Sequence, residues 1–435
     1  MLDMLGDHWL LILAVFVGLA ALWIVAVLSK YVRLMLNIIR DTPSFLLINP
    51  IDYEPVEGSR VNFRAFDGTL LQGMYVRADF PSPSAAEEIA SQYTQGTDRN
   101  GRYFTPDSRG VIIFCHEYGS DMHSWARYGN VLRKAGFDIF TFDFRSHGQS
   151  GRLYEYEPRF WCTDKEVSDC LGALALVQTQ LEEEKRDLPI GFLGISRGGC
   201  AALMTAAAVG KDSSLKAVLT DGAFSTDTLL ELFMKRWVHI FARVRFVYEN
   251  HHRRFWHFLR WLLLKFARIR FHCRFPSVRK NLRRIKHQAV FFIHGQKDSY
   301  IPQEQARRLY ELSSLPRYLW IVPDAKHNQS VAADATLYNA LTVGFFERYL
   351  ASSSMENSRI PEPYREKVNA LFGREESVIS STLFEEALEY VDTGDSILGG
   401  AARQASAEDV RAVSGTVPQS SASTSAKHLA NQPGK

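Results

Sequence analysis

Residues 190–209 read IGFLGISRGGCAALMTAAAV. An apolar run, Ile190 to Ile195, gives way at Gly194-Ile195-Ser196-Arg197-Gly198-Gly199 to a run of small residues suited to a close-packed helix. This is G-x-S-x-G at a strand-to-helix turn. Glycines are needed there because a sharp turn that lifts the serine leaves no room for side chains at its flanks. The reading makes Ser196 a nucleophile. A serine hydroxyl is weak near neutral pH, so it needs a base, and the base needs an orienting carboxylate.

Both are found downstream. Residues 289–293 form an apolar run that ends in His294-Gly295-Gln296-Lys297-Asp298, and residues 318–322 form another that ends in Pro323-Asp324-Ala325-Lys326-His327. Asp298 and His327 therefore fall in loops beyond the carboxyl ends of late strands, where groups gather in open parallel sheets. Asp221, after the run 215–220, is the alternative acid. Upstream, further strands are expected at 111–115 and 137–142, alternating with helical patterns. A hairpin is expected at 60–66 and 70–77 around Asp67-Gly68, and a last helix at about 332–350. Alternation of apolar strands and helices predicts a mostly parallel sheet covered on both faces.

With these residues in place, the chain resembles the α/β-hydrolase superfamily over roughly 60–350, close to its serine aminopeptidase-like and membrane-anchored bacterial branch. His116-Glu117-Tyr118-Gly119 is similar to that family's oxyanion turn. Asp143-Phe144-Arg145-Ser146-His147-Gly148-Gln149-Ser150 is similar to its Asp-x-Arg-Gly-His-Gly-x-Ser loop. Glu117 and Ser146 stand where the family has glycine. The resemblance implies that the backbone N–H groups of Tyr118 and Arg197 form an oxyanion hole. His116, His147 and His294 are expected to brace turns, and Cys115 and Cys200 to be packing residues.

Residues 9–28 carry no charge and, at about 1.5 Å per residue, reach about 30 Å, the thickness of a bilayer core. They read as a transmembrane helix. Asp3 and Asp7 precede it where a cleaved signal carries basic residues, and Lys30, Arg33 and Arg40 follow it, which places the bulk of the chain on the cytoplasmic side of a single-pass anchor. Five cysteines with no C-x-x-C pair suggest neither a disulfide framework nor a zinc site.

The formal charge of +3 hides a strong dipole: residues 235–286 hold sixteen Lys/Arg against one acid, Glu249, which leaves the remainder at 35 basic and 47 acidic residues. This stretch lies in an insertion, 225–288, that is far longer than one connecting helix requires and reads as a helical cap. Trp237, Phe241, Phe246, Phe255, Trp256, Phe258, Trp261 and Phe266 alternate there with arginines. Such helices suit either an anionic lipid surface, with Arg253, Arg254, Arg260 and Arg268 contributing, or an ordinary solvated lid. His251, His252 and His257 lack a carboxylate or cysteine to complete a metal set. No metal, cofactor or nucleic acid is expected.

The expected organisation is an anchor at 1–40, an α/β-hydrolase domain at 59–351 with the cap inserted, and a largely disordered tail at 352–435, with one amphipathic helix near 380–390. The expected activity is hydrolysis of a carboxylic ester or thioester with an apolar or lipid-like acyl group. The alternatives are an aminopeptidase, which needs an acidic group in the cap, and a membrane scaffold that retains the fold without catalysis.

Overall fold

The computed structural model describes residues 9–40, 58–79, 97, 100–211, 213–241, 251–351 and 358–384. Nine strands form one sheet in the order β1-β2-β4-β3-β5-β6-β7-β8-β9. The hairpin of β1 (Ser59–Arg64) and β2 (Leu70–Val76) turns at Asp67-Gly68, and β2 runs antiparallel to β4 (Asp138–Phe142). From β4 onward every pairing is parallel, through β3 (Val111–Cys115), β5 (Ile190–Ile195), β6 (Leu215–Asp221), β7 (Ala289–Gly295) and β8 (Arg317–Val322) to β9 (Glu376–Ile379). β3, β4, β5 and β7 are buried along their whole length, as strands covered on both faces must be.

One face is covered by α3 (Asp164–Glu183) and α4 (Arg197–Ala208), which pack against each other. Thr163 starts α3 with a capping box closed by Glu166, which satisfies two otherwise unpaired backbone donors. The other face takes α2 (Trp125–Lys134) and α8 (Ala335–Leu350), which touch each other. Phe114 of β3 stacks on Tyr128 of α2 there, at 6.1 Å. α7 (Glu304–Leu312) connects β7 to β8.

Two differences from the sequence reading concern the ends of the fold. α1 (Trp9–Arg40) is one continuous helix with two environments. Its residues 11–26 expose apolar side chains such as Leu19, Leu22 and Trp23, whereas Val32, Met35 and Ile39, at helical spacing, are buried in the same core cluster as the α3 and α4 residues. At the other end, the domain does not stop at 351. α9 (Glu362–Phe372) buries Tyr364, Val368, Leu371 and Phe372, and β9 adds a ninth strand beside β8. A Cβ on Gly344 of α8 would stand 2.2 Å from Val368, so glycine lets α8 and α9 approach closely. Of the helix expected near 380–390 only residues 380–384 are described, with a 3-10 turn at Ser381–Phe384, and residues 385–435 lie outside the described residues.

The insertion carries α5 (Thr226–Phe241) and α6 (Arg253–Arg270), which pack together, and α1 packs on both. The side chains of Trp237, Phe241, Phe246 and Glu249 lie outside the described residues.

Because α9 covers α8 and β9 pairs β8, a chain ending at Leu350 should be insoluble, whereas one ending at Phe384 should melt cooperatively like the full chain. Soluble, cooperatively melting protein from the shorter chain would return the boundary to 351.

Candidate active site

β5 delivers the chain to Ser196, whose backbone sits at φ 51° and ψ −115°, a region that non-glycine residues rarely occupy. Its neighbours explain how the turn fits. A Cβ on Gly194 would lie 2.6 Å from the Gly199 Cα, and one on Gly198 would lie 2.1 Å from the Cys115 carbonyl oxygen. The Ser196 N–H donates to the Asp221 carbonyl at 2.7 Å, which ties the turn to the end of β6.

Ser196 Oγ lies 3.0 Å from His327 Nε2, and His327 Nδ1 lies 2.6 Å from Asp298 Oδ2. A carboxylate only accepts, so the imidazole proton belongs on Nδ1, and Nε2 is left to accept from the serine hydroxyl. Three residues taken from the sequence as nucleophile, base and acid are thus brought into one hydrogen-bonded chain, from the ends of β5, β8 and β7. Asp298 is held by its own loop: Oδ1 accepts from the Tyr300 and Ile301 amides at 3.0 and 2.7 Å. His294 Nε2 donates to the Ile301 carbonyl at 2.6 Å and braces that loop. Burial would raise the Asp298 carboxyl, but the charge and hydrogen bond of His327, with smaller contributions from His294 and the Ile301 amide, outweigh it and hold the group below its ordinary value.

Asp221, the alternative acid, faces elsewhere: its Oδ1 accepts from Ser330 Oγ at 2.8 Å, and its Oδ2 has no hydrogen-bond partner. Burial pushes its carboxyl up to about 7. Glu117 is also buried, with Ser124 Oγ at 3.3 Å, and burial raises its carboxyl.

Tyr118 follows β3, whose Cys115 is in register with Gly194, so its turn adjoins the serine turn. Arg197 opens α4, where backbone N–H groups have no partner within the helix. The Arg197 side chain is a feature that the sequence reading did not anticipate. Fully buried, it donates to the Arg159 carbonyl at 3.0 Å and to His147 Nε2 at 3.2 Å, lies 3.7 Å from Glu166, and stands over the rings of Tyr118 and Phe144. A basic residue directly after the serine of the G-x-S-x-G turn is the available signal. The Asp143 loop proves to be a brace: Arg145 pairs with Asp169 at 2.6 Å and Asp67 at 2.8 Å, while Asp143 accepts from the Met122 and Gln149 amides. His116 accepts from the Phe144 amide at 3.0 Å. All five cysteines are free and buried, and burial pushes the Cys200 thiol up to about 12.

Segments adjoining the site residues in sequence contribute a buried aromatic cluster. Phe160 lies beside Tyr300 at 5.8 Å, Phe233 of α5 lies beside Tyr300 at 5.4 Å, and Trp161 touches Phe233 and Phe224. Ser196 itself is only 7 % exposed. Among the described residues no group of three or more His, Cys, Asp or Glu side chains is placed to hold a metal ion. His251 stacks on Phe255, His252 caps α6, and His257 faces Glu231.

A family model described as serine aminopeptidase, S33, matches residues 106–253, a span that includes β3, the serine turn and the start of the cap. The chain has the α/β-hydrolase fold. Among relatives, the hydrolase is 27 % identical over 269 residues to the protein YqkD of Bacillus subtilis, covering 60 % of this chain and 78 % of that one. It is 21 % identical over 254 residues to YfhR of Escherichia coli K12, covering 57 % and 75 %. Of solved structures, a Pyrococcus furiosus esterase aligns at 20 % identity and TM-score 0.44 over 69 % of the hydrolase and 92 % of the esterase. The acylaminoacyl peptidase of Pyrococcus horikoshii aligns at 17 % and 0.43 over 69 % and 43 %.

The raised Asp221 carboxyl has a consequence for stability. The folded hydrolase keeps that proton up to about pH 7, whereas the unfolded chain releases it near 3.8, the ordinary value for an aspartate. Stability from this group is therefore present at low pH and lost as pH rises through 7, at up to about 1.4 kcal/mol per pH unit. Asp221→Asn should gain about 2–3 kcal/mol on the wild type between pH 5 and pH 8, read by unfolding in detergent. An unchanged difference between the two pH values would mean that Asp221 is ionised throughout.

Proposed function

We propose that this chain is a membrane-anchored serine hydrolase that cleaves a carboxylic ester or thioester of an apolar or lipid-like acyl group. The observation that carries the reading is the hydrogen-bonded chain from Ser196 through His327 to Asp298. Ser196 Oγ attacks the substrate carbonyl carbon while His327 Nε2 takes the hydroxyl proton. The carbonyl oxygen becomes an oxyanion against the backbone N–H groups of Tyr118 and Arg197. As the tetrahedral intermediate collapses, His327 gives that proton to the departing alcohol or thiol and an acyl-serine remains. Water, deprotonated by His327, then attacks the acyl carbon, and Ser196 leaves with the proton restored. Asp298 fixes the imidazole tautomer and stabilises the imidazolium in both halves.

The aromatic cluster of Phe160, Trp161, Phe233 and Tyr300 favours an apolar acyl group. An aminopeptidase would need an acid to hold a free amine. The described acids of the insertion, Asp227 and Glu231, are engaged instead, Asp227 with Arg279 at 3.2 Å and Glu231 with Arg260 at 2.6 Å and Lys235 at 2.8 Å.

Anchoring is supported by the exposed apolar half of α1, whose mean hydropathy of 3.0 and length suffice for a span. The helix continues unbroken into the core-packed residues 32–39, which favours a retained anchor over a removed signal. Lys30, Arg33 and Arg40 are exposed beyond the apolar run and favour the cytoplasmic side for the catalytic domain.

Fluorophosphonate labelling and turnover of an ester, thioester and peptide panel test the chemistry. Ser196→Ala should abolish labelling and hydrolysis, Asp298→Asn should lower kcat by roughly 10⁴, and Asp221→Asn should cost far less. Wild-type labelling of the Ser196 variant would refute the nucleophile, and a larger loss at Asp221 than at Asp298 would reassign the acid. For topology, a protease added outside intact cells should leave the catalytic domain uncut; cleavage there would invert the orientation.

A further inference from the structure

α6 buries Trp256, Leu259, Leu263 and Ala267, so an ordinary solvated lid would present only polar residues on the opposite side. It does not. Phe258 is 48 % exposed, Trp261 52 % and Ile269 73 %. These residues share one outward stripe, at helical spacing, with the exposed Arg254, Lys265 and Arg268. Phe258 and Trp261 stack at 6.0 Å, and Lys265 Nζ stands 4.9 Å from the Trp261 ring centre. The stripe is therefore an ordered aromatic ledge edged with cations.

Its place in the molecule follows from α1. The exposed apolar stretch ends at Ala26, Lys30 and Arg33 are exposed, and Val32, Met35 and Ile39 face the fold, where α1 packs on α6. If the apolar stretch spans a bilayer, the headgroup layer begins near Lys30. The segment from Leu28 to Ile39 then descends only about 16 Å below it at about 1.5 Å per residue. α6 packs against this buried part of α1, whose depth is about twice a Debye length of about 8–10 Å.

We propose that the outward stripe of α6, formed by Arg254, Phe258, Trp261, Lys265, Arg268 and Ile269, rests on the anionic phospholipid surface of the bilayer that α1 enters. The proposal rests on the anchored reading given above. The rings sit at the headgroup boundary and the cations meet lipid phosphates, as on interfacial helices. α6 contains no acidic residue to oppose this. One cation expected from the sequence to contribute does not: Arg260 is turned inward onto Glu231 at 2.6 Å.

The test uses the full chain carrying Ile269→Cys. The five native cysteines are buried, so an environment-sensitive fluorophore attaches at the new position. The protein is placed in nanodiscs of phosphatidylcholine with or without phosphatidylglycerol, with nitroxide-labelled lipid as quencher. Lipid quenching and protection from aqueous iodide are expected in the anionic discs, with relief by salt. Arg254→Gln, Lys265→Gln and Arg268→Gln together should lower the docked-to-undocked ratio by roughly tenfold or more.

Free access of iodide in both discs would overturn the proposal, as would equal lipid quenching without phosphatidylglycerol. Protection that grows with protein concentration in lipid-free detergent would instead assign the stripe to a second copy of the chain. An alkaline carbonate wash separates this from the anchor. Release of the full chain by carbonate would refute the anchor, while the label's response to added anionic vesicles would still decide the stripe.

Discussion

The backbone of Ser196 holds a conformation that costs an L-residue about 1–3 kcal/mol, and much of the site depends on what keeps it there. The Asp221 carbonyl receives its N–H, the Cys200 N–H returns to its carbonyl, and glycine at 194 and 198 removes the clashes that would push the turn open. Because Gly198 packs on the Cys115 carbonyl, the same clearance that permits the serine turn also sets the distance between α4 and the turn after β3. The position of Ser196 and the spacing of the Tyr118 and Arg197 backbones are one constraint. Moving either turn would displace both.

That constraint is also why so much of the site is legible in the sequence. The glycines around Ser196 are read as steric necessities, and apolar strands ending in Asp298 and His327 place their side chains on one sheet edge. The alternation of apolar and helical segments gave β3 to β8 to within two residues at their ends. What escaped reading was long-range. Tyr364, Val368, Leu371 and Phe372 form a helical stripe between Pro361 and Gly373, but its partner, the face of α8 opened by Gly344, lies in a different segment. Likewise the basic insertion reads as two-faced, with Arg260 among the four arginines available to a lipid surface. Only packing shows that Arg260 is spent on Glu231 while Phe258 and Trp261 face outward.

Buried charge is concentrated around the site and demands its own explanation. Arg197, Glu166, Arg145 and Asp169 are all removed from water, at a cost of several kcal/mol per ion unless each is fully engaged. Arg145 is satisfied by two carboxylates, and Glu166 by the Thr163 amide and the Thr163 and Tyr156 hydroxyls. The result is specificity of position. Each charged group can be satisfied only if the hairpin turn, α3 and the segment before it are in register, so the loop that carries His147 is located from three directions at once.

The root of the cap is stitched in a similar way. Asp227 Oδ1 accepts from Ser225 and Ser277 hydroxyls at 2.7 and 2.9 Å, Arg279 closes on its other oxygen, and the Thr228 hydroxyl donates to Gln305 of α7 at 2.7 Å. The two ends of the insertion thereby meet only a few residues after Gly222, whose Cα lies beside the His327 ring. A lid hinged at this root would have to break several of these hydrogen bonds in one motion. The described helices of the cap are thereby joined to the sheet at this root, and α1, by packing on α5 and α6, is joined to the same frame. On the anchored reading, the orientation of Ser196 relative to the bilayer is then a property of side-chain packing along residues 28–39 rather than of a tether's length.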